Sequence, residues 1–110
     1  MTHMTESQRF KNAAMPWPEA TPEKKWYLVE NDLPRWRLRQ GCKVAISSLA
    51  SDAGCIDGEM YLFKTPAGAL FLGEFRRLAS GYEAEQHDGP PMDSQHHGVT
   101  VVGEYLGWMK

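Results

Sequence analysis

Residues 57–78 read DGEMYLFKTPAGALFLGEFRRL, and this stretch decides the fold class. Two apolar runs within it, Met60–Lys64 and Ala69–Leu78, are rich in residues that favour β-strands. The four residues between them form a turn signal, because Pro66 presets the backbone for a turn and Gly68 tolerates a positive φ. The stretch therefore predicts a β-hairpin.

Short apolar segments separated by turn signals continue on both sides of this hairpin. Several short strands with almost no helical periodicity predict a mainly β domain, built as a small, partly open β-barrel or sandwich. Gly103 and Gly107 interrupt the last segment and predict β-bulges or close packing there. The segments are Trp26–Val29, Lys43–Ile46, Tyr82–Gln86 and Val99–Trp108.

The first 23 residues have a different character from the rest of the chain. Three prolines between positions 16 and 22 interrupt any helix. We therefore expect a flexible, mostly irregular tail over residues 1–23, with one or two helical turns at most within Ser7–Met15. A single β domain is expected over residues 24–110, since a chain of 110 residues has the length of one domain.

The composition is that of an ordinary soluble protein, with 42% hydrophobic and 24% charged residues. A formal net charge of −2 gives no general attraction to nucleic acid. No apolar run is long enough for a membrane span, and the N-terminal residues lack the apolar core of a signal peptide. Two cysteines make neither a disulfide framework nor a zinc site. These features predict a cytoplasmic protein with reduced thiols, no membrane contact and no cofactor.

Two stretches together resemble a known family: residues 57–78 and the earlier residues 29–46, VENDLPRWRLRQGCKVAI. Their order and spacing are similar to those of the C-terminal domains of LexA-like and phage repressors. Those domains are Ser-Lys self-cleaving peptidases, related in fold to signal peptidases. Residues 31–35 look like the family's Gly-Asp-Ser-Met turn. Residues 72–78 look like the strand that carries its catalytic Lys, and residues 99–105 like its closing strand.

The resemblance implies a scaffold without its catalyst. Asp32 or its neighbour occupies the position of the serine nucleophile, and a carboxylate cannot replace the alkoxide that a neutral lysine generates. The position of the lysine falls on Gly73 or Glu74; glycine has no side chain and glutamate has the wrong charge. We therefore expect a protein that is not an enzyme, with degenerate catalytic positions at Asp32, Gly73 and Glu74.

Three other kinds of chemistry stay open as alternatives. A degenerate Ser-Lys peptidase would need a serine from the loop after the Gly41 strand, with Lys64 as its partner; the candidates are Ser47, Ser48 and Ser51. Cys42 with a distant histidine would imitate a thiol nucleophile, although a buried structural thiol is the plainer interpretation. His87, Asp88, Asp93, His96 and His97 are suitable ligands, but their spacing matches no closed zinc pattern and predicts no metal site.

Binding, rather than catalysis, is predicted for the basic segment Arg35–Arg39. Alternation of charged and apolar residues predicts an extended segment with Trp36 and Leu38 on one face. We expect Arg35, Trp36, Arg37 and Arg39 to bind a partner, although core packing of Trp36 is the alternative. The resemblance implies a non-catalytic interaction or oligomerisation module, a phage or prophage regulator that forms a homodimer or binds a repressor-like protein. A nucleic-acid-binding β protein that uses the same Trp-Arg face is the alternative function.

Overall fold

The computed structural model describes residues 10–13, 24–87 and 89–109, and these form one antiparallel sheet of eight strands. The order across the sheet is β1-β2-β3-β8-β4-β5-β6-β7, so β1 and β7 are its edges and the sheet is not closed. The prediction of a mainly β, partly open fold is confirmed. The strands are β1 Phe10–Ala13, β2 Lys24–Val29, β3 Lys43–Ser48, β4 Met60–Lys64, β5 Leu70–Leu78, β6 Gly81–Gln86, β7 Met92–Asp93 and β8 Thr100–Met109.

The predicted hairpin is the β4–β5 pair. Leu62 lies opposite Leu72 in its register. In the turn, the Thr65 N–H donates to the Ala69 carbonyl at 2.9 Å, and the Gly68 N–H donates to the Thr65 carbonyl at 2.9 Å. Gly68 has φ +91°, the conformation for which a glycine was expected at this position.

The centre of the sheet is buried on both faces, because successive residues of β4 and β5 belong to two different apolar clusters. Leu62 and Leu72 belong to the first cluster, whereas Phe63 and Phe71 stack in the second with ring centroids 5.4 Å apart. This double burial explains why the sequence of the hairpin is apolar at consecutive positions rather than alternating.

The first cluster determines the curvature of the sheet. It gathers side chains from β2, β3 and β5, although β5 lies four positions from β2 in the strand order. A flat sheet would keep β2 and β5 nearly 20 Å apart, at about 4.8 Å per strand. The strands therefore curl into a half-barrel around this cluster, and the residues between β2 and β3 pack into it with Leu33, Leu38 and Cys42.

The long last strand contains both bulges that its glycines predict. Its pairing with β4 shifts beside Gly103, and its pairing with β3 shifts between Tyr105 and Gly107. Gly103 is buried, and a Cβ placed there would lie 2.5 Å from Ile46 Cγ2 and 2.5 Å from the Ser47 carbonyl oxygen. Here the glycine is required by the close approach of β3.

Two parts of the chain differ from expectation. Residues 10–13, predicted to be helical or irregular, form strand β1 and pair with β2 from Phe10–Val29 to Ala13–Trp26. The remaining residues of the predicted tail, 1–9 and 14–23, lie outside the described residues, so the tail and its boundary stay predictions. The two-residue strand β7 lies between the predicted segments Tyr82–Gln86 and Val99–Trp108, where no strand was expected.

No helix within the described ranges has the length and apolar character that crossing a bilayer requires.

We predict that Gly103→Ala destabilises the fold by about 1–3 kcal/mol, because the new methyl group has to displace Ile46 or the β3 backbone. Gly54→Ala is the matched control: a Cβ placed at Gly54 meets no atom within 4 Å and the φ of this residue is not positive, so little change is expected. Urea unfolding of both variants measures the difference, and equal midpoints would contradict the packing argument.

Candidate interaction surface

The connection between β2 and β3 is a compact loop and not the extended segment that its sequence alternation predicts. Pro34–Trp36 forms a single 3₁₀ turn, η1. Leu33 and Leu38 on either side exchange two backbone hydrogen bonds, of 2.8 and 3.1 Å, and both side chains are buried. The prediction of an extended Arg35–Arg39 was wrong because both leucines satisfy the core at once only if the chain reverses between them.

Two residues complete this reversal. Arg37 takes the left-handed conformation with φ +57°, and its N–H donates to the Pro34 carbonyl at 3.1 Å. Asp32 lies just before the turn, where its Oδ1 accepts a hydrogen bond of 2.9 Å from the Gln40 N–H. Asp32, which the resemblance places at the nucleophile position, therefore stabilises the loop.

The side chain of Arg35 extends from the β2–β3 loop to strand β6. Its Nη1 donates to the Gln86 carbonyl at 2.8 Å, and its Nη2 donates to Glu85 Oε1 at 2.9 Å. The same Nη2 lies 3.6 Å from Glu74 Oε1. The hydrogen bond from Arg35, followed by its charge, lowers the pKa of Glu85. Arg35 was predicted to bind a partner; the structure shows its guanidinium already engaged within the chain.

Trp36 lies partly inside the protein. Its ring packs against the first apolar cluster, and the Arg35 guanidinium carbon stands 4.6 Å from the ring centroid. This cation–π contact and the packing hold the indole in place. Trp36 therefore combines the two roles that its sequence left open, since it contributes to the core and also lines a cleft with Arg37 and Tyr105.

Arg35, Arg37 and Arg39 are all exposed. Arg35 is engaged within the chain, which leaves Arg37 and Arg39 as the two predicted binding residues to consider. No ion pair joins either of them to another described residue. Together with Trp108, which is 50% exposed, they line a cleft of about 420 Å³. We call this the Arg37–Trp108 surface; it consists of Arg37, Arg39, Gln40, Gly41, Cys42 and Trp108.

Trp108 is a residue of this surface that the sequence did not predict to bind a partner. It lies opposite Val44 in the β3–β8 register, at the end of the half-barrel where no further strand covers it among the described residues. Glu104 and Leu106, four and two positions earlier, are exposed as well. Glu104 does not predict this exposure, because the bulge between Tyr105 and Gly107 reverses the alternation and Trp108 lies opposite the buried Val44.

The structure distinguishes the two positions proposed for the degenerate base. Gly73 is buried, and a Cβ there would approach the Glu85 carbonyl at 3.1 Å and Ala84 Cβ at 3.2 Å. Glu74 instead lines the cleft with Arg35 and Trp36. Asp32 lines a different depression beside Pro34, so the structure does not bring it together with Glu74 in one cleft.

The alternative serine candidates lie far from their proposed lysine. Ser48 pairs with Gly103 on one side of β8, and Lys64 pairs with Thr100 on the other side. The offset is about 10 Å along the strand and two strand spacings across it. Ser51 accepts a hydrogen bond of 3.3 Å from the Ala53 N–H in the following loop. Lys64 is therefore not a neighbouring base for Ser48. The lysine that lies opposite one of these serines is the exposed Lys24, which faces Ser47 in the β2–β3 register.

The histidine-rich segment forms a tight turn around Asp93. Its Oδ2 lies 2.7 Å from His96 Nδ1, and the His97 Nδ1 accepts a hydrogen bond of 3.0 Å from the Asp93 N–H. The hydrogen bond to His96 holds the pKa of Asp93 at about 2 and raises the pKa of His96. Among the described residues, which exclude Asp88, no group of three or more potential ligands could hold a metal ion.

The two cysteines lie in different apolar clusters. Cys42 is buried in the first cluster, and Cys55 packs partly buried against the second. Burial raises the pKa of the Cys55 thiol, which favours its uncharged form. Both thiols are free, as expected for a protein without a disulfide framework.

No known family model matches this chain, and no curated protein matches it either. The resemblance to LexA-like and phage repressor domains therefore stays a prediction.

We predict that Arg35→Ala destabilises the fold by about 1–2 kcal/mol, chiefly because the Gln86 carbonyl loses its donor while the exposed carboxylates contribute little. Arg76→Ala is the control, since Arg76 is mostly exposed and contacts Glu83 and Glu85 at 3.7–3.8 Å. Its loss should cost less than about 0.5 kcal/mol. Denaturant unfolding separates the two, and an equal effect would contradict the role assigned to Arg35.

The Asp93 turn gives a pH prediction with a definite sign. Because the pKa of His96 is raised, the stabilisation from its charged form is complete below 6.5 and is lost as the pH rises through the raised value. The stabilisation from ionised Asp93 is complete above 3.8 and is lost as the pH falls towards 2.

Asp93→Asn should therefore bring the pKa of His96 down towards 6.5, as measured from the NMR shift of its ring Hε1 against pH. Glu104→Gln removes a carboxylate on β8, outside this turn, and serves as the control for net charge. An unchanged His96 titration in Asp93→Asn would show that the contact at 2.7 Å does not form in solution.

Proposed function

We propose that this protein is a non-catalytic interaction module of the kind that the C-terminal domains of phage repressors provide. It acts in the cytoplasm as a phage or prophage regulator, through protein–protein contacts. Its partner is a second copy of the chain or a repressor-like protein. The partly open β fold supports this proposal because it is the fold class that the resemblance implies.

The observation that carries the proposal is the Arg37–Trp108 surface. It combines a half-exposed indole with two arginines that have no ion pair among the described residues. Tryptophan and arginine are enriched among the residues that dominate binding energy in protein interfaces. A partner that covers Trp108 would remove apolar surface from water and supply acceptors for Arg37 and Arg39.

The degenerate catalytic positions support a role without catalysis. Glu74 faces the Arg35 guanidinium at 3.6 Å, and Asp32 accepts a hydrogen bond from the loop backbone. Neither position provides a hydroxyl nucleophile or an amine base, which the Ser-Lys mechanism requires.

Nucleic-acid binding by the same surface is the second candidate. Indole rings stack on bases, and arginines pair with phosphates. The exposed Trp108 in one cleft with Arg37 and Arg39 favours it. The net charge of −2 and the internal engagement of Arg35 weigh against it. A protein partner accounts for the same residues without requiring a basic protein.

We expect light scattering to detect association, either as a concentration-dependent dimer or as a complex with the C-terminal domain of a phage repressor. The variant Arg37→Ala/Trp108→Ala should weaken that association by about tenfold or more, since truncating a central interface residue commonly costs about 2 kcal/mol or more. Trp36 is left intact because it packs in the core.

The double variant Lys24→Ala/Lys25→Ala is the control, because it also removes exposed positive charge but at the opposite end of the half-barrel. It should associate as the parent does. A chain that stays monomeric at all concentrations and forms no complex with the repressor domain contradicts the proposal. A gel shift with single-stranded DNA that disappears in the Arg37→Ala/Trp108→Ala variant would favour the second candidate instead.

A further inference from the structure

The last strand is longer than both of its neighbours, and its pairing ends earlier on one side than on the other. β8 pairs with β3 from Gly103 to Met109, but its pairing with β4 ends at Glu104. No strand among the described residues pairs with residues 105–109 on the β4 side. This overhang offers about 16 Å of strand edge whose outward backbone groups have no strand partner.

The overhang is bordered by two clefts that meet at Arg37. The first is the Arg37–Trp108 surface, beside the end of the strand. The second lies beside its beginning and is lined by Trp36, Met60 and Tyr105, with Arg37 again at its border. The first cleft reaches the overhang at Trp108 and the second at Tyr105, three residues apart, and Arg37 lines both.

We call the two clefts together the trough, and its charge is positive. Arg37 and Arg39 have no carboxylate partner among the described residues. Arg35 is paired with Glu74 and Glu85 and therefore adds little net charge. An occupant with carboxylates would be attracted to the trough, whereas a basic occupant would be repelled.

We propose that residues 105–109 of β8 receive an extended acidic segment of a partner protein as an additional strand. This inference rests on the interaction role proposed above and names the kind of segment that the partner supplies. Backbone hydrogen bonds to the strand edge provide affinity. Alternate side chains then contact Arg37 and Arg39 with carboxylates and cover the Trp108 ring with apolar groups.

A foreign acidic strand fits this edge better than a second copy of the same edge. Symmetric pairing of two β8 overhangs would bring Arg37 and Arg39 of both copies into one trough, because a two-fold interface places each patch against itself. Four guanidinium groups would then face one another without carboxylates, which is unfavourable. An acidic segment removes this repulsion and replaces it with attraction.

The test uses the ¹⁵N-labelled full chain and a capped hexapeptide, Glu-Val-Glu-Val-Glu-Val, as the probe. We expect its binding to shift the amide signals of residues 105–109 and Arg37 more than those of β6. The variant Arg37→Ala/Arg39→Ala should weaken binding by about tenfold or more, while Lys24→Ala/Lys25→Ala should leave it unchanged. The Lys-Val hexapeptide of the same length should not bind.

A second peptide tests the backbone component. In it, alternate residues are N-methylated, so that one edge of the peptide can no longer donate hydrogen bonds. Two versions of this peptide carry the methyl groups on opposite edges. We expect one version to lose binding and the other to keep it, because only one edge of an added strand faces β8. Equal binding of all acidic peptides would reduce the interaction to charge attraction and overturn strand addition.

Other outcomes separate this inference from the proposed function. In one outcome, neither the acidic hexapeptide nor its N-methylated versions bind, but light scattering shows association that Arg37→Ala/Trp108→Ala weakens. The strand inference then fails and the interaction role stands. If none of these acidic peptides binds and the chain shows no association at all, the strand inference and the proposed interaction role both fail. Amide shifts at residues 105–109 that depend only on the protein's own concentration would assign this strand edge to a second copy of the chain. Oligothymidine that shifts the same amide signals and displaces the peptide would assign the edge to nucleic acid. Either result overturns the inference.

Discussion

One guanidinium group holds the irregular part of this fold against the sheet. Arg35 lies in the loop between β2 and β3, yet it hydrogen-bonds the backbone of Gln86 and the side chain of Glu85 on β6, 51 and 50 positions away. A planar fork that is fixed by a carbonyl and a carboxylate at once has little freedom to rotate. The guanidinium therefore fixes the position of the whole loop, which covers one end of the half-barrel.

The arginines beside it have the opposite role because the chain reverses between them. Arg37, in the left-handed conformation, directs the backbone back towards Leu38, which pairs with Leu33 in the core. Arg35 is thereby held on the side of β6, and Arg37 borders the clefts beside β8. Arg35 therefore makes contacts within the chain, whereas Arg37, two positions later, has an exposed charge that a partner can contact.

The parts of this structure that could be predicted from the sequence are those with local causes. Turn residues and consecutive apolar positions were enough for the β4–β5 hairpin. The conformation of the β2–β3 loop depends on the joint burial of Leu33 and Leu38 and on the contact of Arg35 with β6, and neither is visible in a window of five residues. For the same reason the sequence did not predict Trp108 as a binding residue: only the end of the β4 pairing at Glu104 shows that the strand continues with β3 as its one neighbour among the described residues.

These placements also determine which forces act at the Arg37–Trp108 surface. The charge of Arg35 is balanced within the chain, partly by Glu74 at the position where the resemblance implies a general base. The charges of Arg37 and Arg39 are not balanced by described residues, and attraction to them is screened by salt. Contact with the Trp108 ring is apolar and is not screened in this way. An interface built here therefore has two separable components, and the arginines govern the rate and selectivity of encounter while the indole governs the lifetime of the complex.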